Sequence, residues 1–339
     1  MSPGSESSAS AVDLDNAISP EAVASTAALI GPHIVRTPAV EWSGPELQSM
    51  LPGGTRVTAK LEVFQRSGTF KARGALSNIL RLDNGQLQAG GTAMSAGNHA
   101  IAVAYAARAA GTHAKVVMQK SANPARVELA RDLGAELLFA DDGPSGFAMM
   151  DRLAVEEGRA VIHPFDGLAT ALGTATLGSE LHAQAGDLDV LFVAIGGGGL
   201  AGGVSAITRH LQPGCRVIGV EPAGADSMHR SFASGKAENI GRTDTIADSL
   251  APPMTGPIPY GLCRAHLDRL VLVSDAEMVA AMQLIFRGLK LAVEPACAAT
   301  TAALVQLADE LAGKQVGIIL CGSNIDLDTY TDCCRAALD

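Results

Sequence analysis

The stretch Ala194–Gly203, which reads AIGGGGLAGG, decides the fold class. It follows an apolar run, Val190–Ile195, that is short enough for a buried strand, and it leads into a helical run that continues to Leu211. Four consecutive glycines between a strand and a helix leave backbone N–H groups free to point into one concavity, beside the positive end of the helix. A simple turn needs glycine only where φ is positive, so the run favours a phosphate-binding loop.

The alternation of strand, glycine-containing turn and helix continues over most of the chain. Ala-rich helical runs lie at Ala100–Ala110 and Pro124–Leu133, and Ser274–Glu277 matches a capping box that begins another helix. The predicted buried strands are 57–61, 114–118, 136–139, 160–162, 190–195, 216–220 and 316–320. Strands that alternate with helices predict parallel sheets covered on both faces, with ligand sites at the carboxyl ends of the strands. The sequence therefore predicts an α/β fold.

Composition and charge exclude several classes of protein. Of the 339 residues, 47% are hydrophobic and 18% are charged, so a large core can form and global disorder is excluded. The net charge of −10 argues against nucleic acid or an anionic membrane as the main partner. The six cysteines include no C-x-x-C pair, so zinc-site spacing is absent. With no apolar run of about 18 residues and no cationic secretory start, we expect a soluble, cytoplasmic protein.

The glycine run also admits a second interpretation. Gly197-x-Gly199-x-x-Gly202 fits the dinucleotide fingerprint, and Glu221 ends the next predicted strand, where a ribose-binding acid would lie. An NAD-dependent dehydrogenase is therefore an alternative on this local pattern. A single fingerprint has low specificity, however, and this alternative leaves the segments described next without a role.

A lysine motif precedes the glycine run in the sequence Ser67-Gly68-Thr69-Phe70-Lys71-Ala72-Arg73-Gly74. Lys71 follows a Ser/Gly/Thr turn and an aromatic residue at the start of a predicted helix. The start of a helix disfavours a cation and lowers its pKa, as partial burial also does. A neutral amine can attack a carbonyl group, which is the requirement for a Schiff base. On spacing alone, an ordinary solvated lysine remains the alternative.

Two more polar segments follow predicted strands. Ser95, Gly97 and Asn98 can offer a hydroxyl, backbone N–H groups and an amide to a carboxylate, although Asn98 could be only a helix cap. We assign no catalytic role to His99, because a histidine in such a position is more often structural. Cys321 ends the last predicted strand, at the edge where ligands bind, and a buried core cysteine is the alternative there.

Together, the four segments resemble the fold-type II pyridoxal-phosphate enzymes, specifically the threonine/serine dehydratase and serine racemase group. The resemblance runs from about Arg36 to the C-terminus. The lysine motif, the asparagine loop Ser95–His99, the glycine run and Cys321 agree with this group in order and spacing, which a dehydrogenase cannot reproduce. Thr245–Asp248 and Val293–Pro295 also fit.

The resemblance implies a particular architecture, that of the tryptophan synthase β-like enzymes, with two parallel-sheet sub-domains. A large cofactor-binding domain would comprise residues 1–82 and 165–339, and a small domain residues 83–164, with the cofactor in the cleft between them. Residues 1–12 are expected to be disordered, and the group suggests a homodimer.

The resemblance also implies the site and the reaction. Lys71 would hold pyridoxal 5′-phosphate as a Schiff base and act as the catalytic base. The reaction would be β-elimination of water from a β-hydroxy amino acid such as L-threonine or L-serine, giving a keto acid and ammonia. A 3-hydroxyaspartate dehydratase and a serine racemase are alternatives within the group. The other implied cofactor residues are Phe70 near the ring, Asn98 on the ring hydroxyl, Cys321 at the ring nitrogen, and Gly196, Gly197, Gly198 and Gly199 on the phosphate. The substrate carboxylate would bind to Ser95, Ala96, Gly97, Asn98 and His99.

Two departures from the group bear on function. Ala96 stands where the racemases carry a second serine as a base, and a methyl group cannot move a proton, so we expect slow racemisation. The cation site of the group matches at Glu221 and Ala225, but Ser227 replaces its second carboxylate. Hard cations prefer charged oxygens, so a bound Mg²⁺ or Ca²⁺ is less expected here than in the group as a whole.

Overall fold

The computed structural model describes Leu14 and residues 16–335, so the predicted disordered segment 1–12 lies outside the described residues. Within them, ten strands form two sheets. The strands are β1 Ala39–Glu41, β2 Arg56–Leu61, β3 Gly91–Met94, β4 Ala114–Gln119, β5 Glu136–Ala140, β6 Ala160–Val161, β7 Val190–Ala194, β8 Arg216–Pro222, β9 Arg269–Val273 and β10 Gln315–Leu320. The helices are α1 Pro20–Ile30, α2 Pro45–Gln48, α3 Lys71–Ile79, α4 Asn84–Ala89, α5 Asn98–Ala109, α6 Pro124–Asp132, α7 Gly143–Glu157, α8 Leu168–Ala185, α9 Gly199–Leu211, α10 Ser227–Ser234, α11 Pro257–His266, α12 Asp275–Leu289, α13 Pro295–Gln306 and α14 Leu327–Arg335.

The two sheets have the parallel pairing that the sequence predicts. The larger sheet has the order β1-β2-β10-β7-β8-β9, in which β1 is antiparallel to β2 and the other pairs are parallel. The smaller sheet has the order β5-β4-β3-β6, and its pairs are all parallel. The predicted α/β class with two parallel sheets is confirmed. The strands of the smaller sheet lie between residues 83 and 164, whereas the domain boundaries themselves stay a prediction.

The predicted helix starts agree with the capping contacts. The Ser19 hydroxyl accepts a hydrogen bond from the N–H of Ala22 at 3.3 Å, and Asn123 Oδ1 accepts one from Ala125 at 2.9 Å. At the start of α12, Ser274 and Glu277 form the reciprocal capping box that the sequence indicates. Each contact satisfies N–H groups that have no partner within the helix.

Two strands of the larger sheet, β1 and β9, were missed by the sequence analysis. Both are edge strands, with one neighbour each. β1 has three residues, and β9 is partly exposed along its length, so neither shows a continuous buried apolar run. The central strand β7, by contrast, is buried at every position, and α9 and α13 both pack against it. The periodicity and the apolar content of the sequence therefore predict the central strands of this sheet better than its edge strands.

The carboxyl end of the larger sheet collects the motif residues. β7 leads into the glycine run at 196–199, and β10 leads into Cys321. Gly322 forms a bridge with Thr69, which lies two residues before Lys71. The fold therefore places the lysine motif beside the glycine run, which is more than 100 residues away in sequence.

Among the helices that the structure describes, none combines the length and apolarity needed to cross a lipid bilayer.

Candidate active site

Lys71 is the first residue of α3, and its side chain is half-buried. The backbone N–H of Phe70 donates to the carbonyl of Cys321 at 3.0 Å, which fixes the start of the helix against the end of β10. The amine Nζ donates to the carbonyl of Pro164 at 2.6 Å and lies 5.0 Å from the centre of the Phe70 ring. Burial lowers the pKa of Lys71 to about 8. About a tenth of this amine is therefore neutral at pH 7, far more than of an ordinary lysine, and the neutral form is the one that acts as a nucleophile or a base.

The glycine loop that follows β7 is held by its carbonyl groups. Three successive carbonyls, those of residues 197–199, accept hydrogen bonds from Thr255 at 3.0 Å, Cys263 at 3.7 Å and Thr174 at 2.8 Å, respectively. In a trans peptide the N–H of the next residue points the opposite way. The loop also ends at the first turn of α9, where the N–H groups have no partner within the helix. The side chains of Thr174, Thr255 and Cys263 thus engage the carbonyl groups of the loop. The N–H groups, which point the opposite way, are left as donors for an anion.

Glycine is required in this loop because other segments approach it closely. A Cβ at Gly197 would lie 2.2 Å from the ring of Phe165, and one at Gly199 would lie 2.5 Å from the backbone oxygen of Phe165. Gly198 has φ of 91°, a conformation that side chains disfavour. A Cβ at Gly196 would lie 3.1 Å from the backbone of Leu250. Glycine at these four positions therefore avoids steric clashes with neighbouring segments, and it places no side chain over the backbone N–H groups.

One cavity joins the lysine to the glycine loop. Its walls include Phe70, Lys71, His99 and His163 on one side and Gly199 on the other. An amine with a lowered pKa thus faces the same space as Gly199, which begins α9, where the helix N–H groups have no partner within the helix. These residues fit a cofactor with an anionic phosphate and a carbonyl group that reacts with an amine.

Asn98 is buried, and both ends of its amide are held. Its Nδ2 donates to Glu294 Oε1 at 2.6 Å and to Ser249 Oγ at 3.1 Å, while its Oδ1 accepts from Asn324 Nδ2 at 2.9 Å. The residue before it, Gly97, is the N-cap of α5, and no side chain caps this helix. Asn98 is therefore not the helix cap that the sequence left as an alternative.

The rest of the Ser95–His99 loop lies beside this amide. The hydroxyl of Ser95 accepts from the N–H of Gly97 at 3.1 Å, and Ala96 between them is half-buried. His99 Nε2 lies 2.7 Å from the carbonyl of Ile162. Burial and the nearby Lys71 lower the pKa of His99 to about 3, so its imidazole stays neutral and donates to that carbonyl. His99 thus makes a hydrogen bond within the protein, as a structural histidine does.

Cys321 is buried at the end of β10, beside Cys297. A hydrogen bond with Cys297 and burial both raise the pKa of the Cys321 thiol well above its ordinary value. The thiol is therefore uncharged at neutral pH. It lacks the negative charge that a carboxylate would place at the same position.

Arg73, two residues after Lys71, holds α3 against the neighbouring elements. It is fully buried, and its side chain donates to Glu62 twice at 2.8 Å, to Glu180 at 2.9 and 2.8 Å, and to Thr176 at 3.1 Å. These five contacts use all five N–H groups of the guanidinium. They tie the helix of Lys71 to α8, whose residues Thr170 and Thr174 line the cavity.

The expected cation site is not supported. Both oxygens of Glu221 accept backbone N–H groups at the start of α10, from Met228 and His229, each at 2.8 Å. Ala225 and Ser227 are buried nearby, but among the described residues no three carboxylate, histidine or cysteine side chains come together as a metal site. Mg²⁺ and Ca²⁺ need more charged oxygen ligands than one engaged carboxylate supplies. The start of a helix occupies Glu221 instead.

Comparison with known protein families gives a match over most of the chain. The family model described as "Pyridoxal-phosphate dependent enzyme" matches residues 30–322. The chain belongs to this family. The resemblance noted in the sequence is therefore confirmed, and the dehydrogenase alternative is left without support.

Several curated members of the family are similar to this chain. A phenylserine dehydratase from Ralstonia pickettii is 58% identical over 278 residues, which cover 82% of this chain and 85% of that protein. An L-threo-3-hydroxyaspartate ammonia-lyase from a Pseudomonas species is 37% identical, with coverage of 82% and 87%. Among solved structures, maize serine racemase superposes with a TM-score of 0.86 at 33% identity and covers 94% of this chain and 97% of its own. The fold is thus that of the fold-type II members of the family.

Arg126, Ser249 and Asn324, which belong to the hydrogen-bond network around Asn98, are among the site residues that the sequence analysis missed. Each reaches Asn98 directly or through Glu294. Asn324 follows Cys321 by three residues and Ser249 follows the Thr245–Asp248 segment, so both lay beside motifs already noted. Arg126 carries no such signal, because it lies in an ordinary helical run.

Proposed function

We propose that this protein is a pyridoxal-phosphate-dependent ammonia-lyase that eliminates water from a β-hydroxy amino acid and releases a keto acid and ammonia. The observation that carries the proposal is the cavity that contains Lys71 and reaches the glycine loop at Gly199, the first residue of α9. The 58% identity to a phenylserine dehydratase supports a substrate with an aromatic group on the β-carbon. Threonine, serine and 3-hydroxyaspartate remain comparison substrates.

The residues assigned to the cofactor are those that the resemblance implies. Lys71 would hold its carbonyl carbon, Gly196–Gly199 its phosphate, Asn98 its ring hydroxyl and Cys321 its ring nitrogen, with Phe70 beside the ring. When bound, pyridoxal phosphate supplies an electron sink that makes the α-proton of an attached amino acid acidic. The neutral thiol of Cys321 leaves the ring nitrogen without an anionic partner, which favours prompt loss of the β-hydroxyl over transamination.

The chain's own groups account for the remaining requirements. The carboxylate of the substrate binds to the Ser95–His99 loop through the Ser95 hydroxyl and N–H groups. The Lys71 amine, directed by the carbonyl of Pro164, removes the α-proton. Ala96 offers no second base on the opposite face, so elimination exceeds racemisation, and the serine racemase alternative is disfavoured. Location in the cytoplasm and a homodimer remain predictions.

The proposal is tested by absorption and product release. The purified protein loaded with pyridoxal phosphate should show the yellow absorption of a lysine-bound cofactor, and borohydride reduction should label the peptide that contains Lys71. Keto-acid release is then measured across phenylserine, threonine, serine and 3-hydroxyaspartate in both configurations. Lys71→Ala should lose colour and product, while Lys236→Ala, at an exposed lysine, should retain both. Colour and product retained in Lys71→Ala would refute the proposal, and fast interconversion of D- and L-serine would favour a racemase.

A further inference from the structure

Arg126 connects elements that belong to the two sheets. It lies on α6, between strands β4 and β5 of the smaller sheet, and it is buried. Its Nε donates to the backbone oxygen of Asn324 at 2.9 Å, its Nη2 donates to Glu294 Oε2 at 3.1 Å, and its Nη1 pairs with Asp248. These three partners lie in segments that border the larger sheet. One guanidinium therefore spans the cleft between the two sheets.

A second contact supports the same connection. Asn123, which caps α6, donates from Nδ2 to Asp326 Oδ2 at 2.7 Å. Both contacts arise from the first turn of α6, so the start of this helix is the part that engages the larger sheet. Arg131, at the far end of the same helix, is exposed. It supplies a matched control, since it shares the helix and the charge but has no contact with Glu294 or Asn324.

The partners of Arg126 are the residues that orient Asn98. Glu294 accepts Arg126 on one oxygen and Asn98 Nδ2 on the other, at 2.6 Å. Asn324 accepts Arg126 on its backbone oxygen and donates its side-chain amide to Asn98 Oδ1 at 2.9 Å. Both ends of the Asn98 amide are thus held by groups that Arg126 contacts directly. The charged state of Glu294 matters most, because a carboxylate can only accept and so requires the NH₂ end of Asn98 to face it.

We propose that Arg126 is a positioning residue that joins α6 to the larger sheet and, through Glu294 and Asn324, fixes the Asn98 amide in the orientation that meets the cofactor. This inference rests on the proposed function, because only that function assigns Asn98 to the cofactor.

The electrostatics of Glu294 explain how the loss of Arg126 would reach Asn98. Burial raises the pKa of Glu294 to about 7, although Arg126 opposes this rise. Without the guanidinium, the buried carboxyl has lost its cation and takes up a proton at neutral pH. A protonated carboxyl can donate, so the Asn98 amide is free to turn over and present its oxygen to Glu294. The orientation of the amide then depends on Ser249 and Asn324 alone, without the carboxylate.

The test measures the dissociation constant of pyridoxal phosphate by titration of the apoprotein, followed by absorption. Arg126→Gln should raise this constant about tenfold or more, as expected when a hydrogen bond to a charged group is lost. Arg126→Lys keeps the positive charge but loses the several N–H donors of the guanidinium. It should therefore bind pyridoxal phosphate more tightly than Arg126→Gln but more weakly than the wild type. Arg131→Gln should leave the constant unchanged. In an Asn98→Ala background, Arg126→Gln should change the constant less than about twofold, because its route to the cofactor has been removed.

The double-variant comparison separates positioning from general stability. An equal loss of affinity from Arg126→Gln with and without Asn98 would mean that Arg126 acts on the fold alone, and it would overturn the inference. Should Arg126→Gln not fold, Asp248→Asn weakens the same contact from an exposed partner and is judged by the same comparison. A wild-type chain that binds no pyridoxal phosphate on Lys71 would instead overturn the proposed function itself.

Discussion

Replacing Arg73 by methionine should destabilise the protein far more than its place on one helix suggests. The substitution keeps much of the side-chain length but removes the four hydrogen bonds that Arg73 donates to Glu62 and Glu180. Burial raises the pKa of Glu62, and the Arg73 guanidinium, with Thr37 and Lys60, outweighs burial and brings the pKa below its usual value. Removing one partner of such a buried pair leaves an uncompensated charge and costs about 3–5 kcal/mol. That is a large part of the stability of an ordinary domain, about 5–15 kcal/mol.

The assay is urea unfolding of the apoprotein at neutral pH, with Arg56→Met as the matched control. Arg56 pairs with Glu41 at 2.7 Å, a distance like those at Arg73, but both side chains are about half-exposed. An exposed pair contributes about 0–1 kcal/mol, so the control should unfold near the wild-type midpoint. Similar small losses in Arg73→Met and Arg56→Met would refute the argument, because burial would then not determine the cost of breaking the pair.

Three further predictions concern the cofactor site. Burial lowers the pKa of Lys71 to about 8, so the neutral amine predominates only above that pH. The rate at which the apoprotein captures pyridoxal phosphate should therefore rise with pH and level off above about 8. A rate that is flat between about pH 6 and 9 would contradict this prediction. Gly199→Ala should weaken cofactor binding at least tenfold by titration, since its Cβ would lie 2.5 Å from the backbone oxygen of Phe165, whereas Gly214→Ala, with nothing within 4 Å, should bind normally. Cys321→Asp should raise transamination relative to elimination, measured as the ratio of the aminated cofactor to keto acid, and an unchanged ratio would show that the neutral thiol does not control the outcome.

The sequence predicted those parts of the fold and site that are encoded locally. β7 and its neighbours are continuous apolar runs, and the glycine loop and lysine motif each need particular residue types within a few positions. Edge strand β9 was missed because its apolar run, Leu270–Val273, has only four residues, the lower limit of length at which a strand is recognised from sequence. At Glu221 the sequence left the cation site open, since a carboxylate at the end of a strand looks the same whether a cation or the start of a helix satisfies it.

Long-range contacts explain what the sequence did not reveal. Arg126 and Asn324 are 198 positions apart, and their contact depends on how α6 packs across the cleft. A single sequence shows the periodicity of its apolar residues and the secondary-structure propensity of each segment, but it does not show which helix packs against which loop. Gly199 was easier, because the rule that ligand sites form at the carboxyl ends of parallel strands points to the loop after β7, whereas Lys71 was identified by its resemblance to a family motif.

The place of β10 in the larger sheet has a consequence for biosynthesis. This strand is the last in the sequence, yet it lies between β2 and β7 and hydrogen-bonds to both. While the ribosome is still making the preceding 314 residues, the β1–β2 hairpin and the β7–β8–β9 group have no strand to join them. Completion of the sheet, and with it the meeting of Lys71 and the glycine loop, therefore waits until β10 has left the ribosome. Until β10 is made, the nascent polypeptide thus exposes two unpaired strand edges, at β2 and β7, to which another chain could pair.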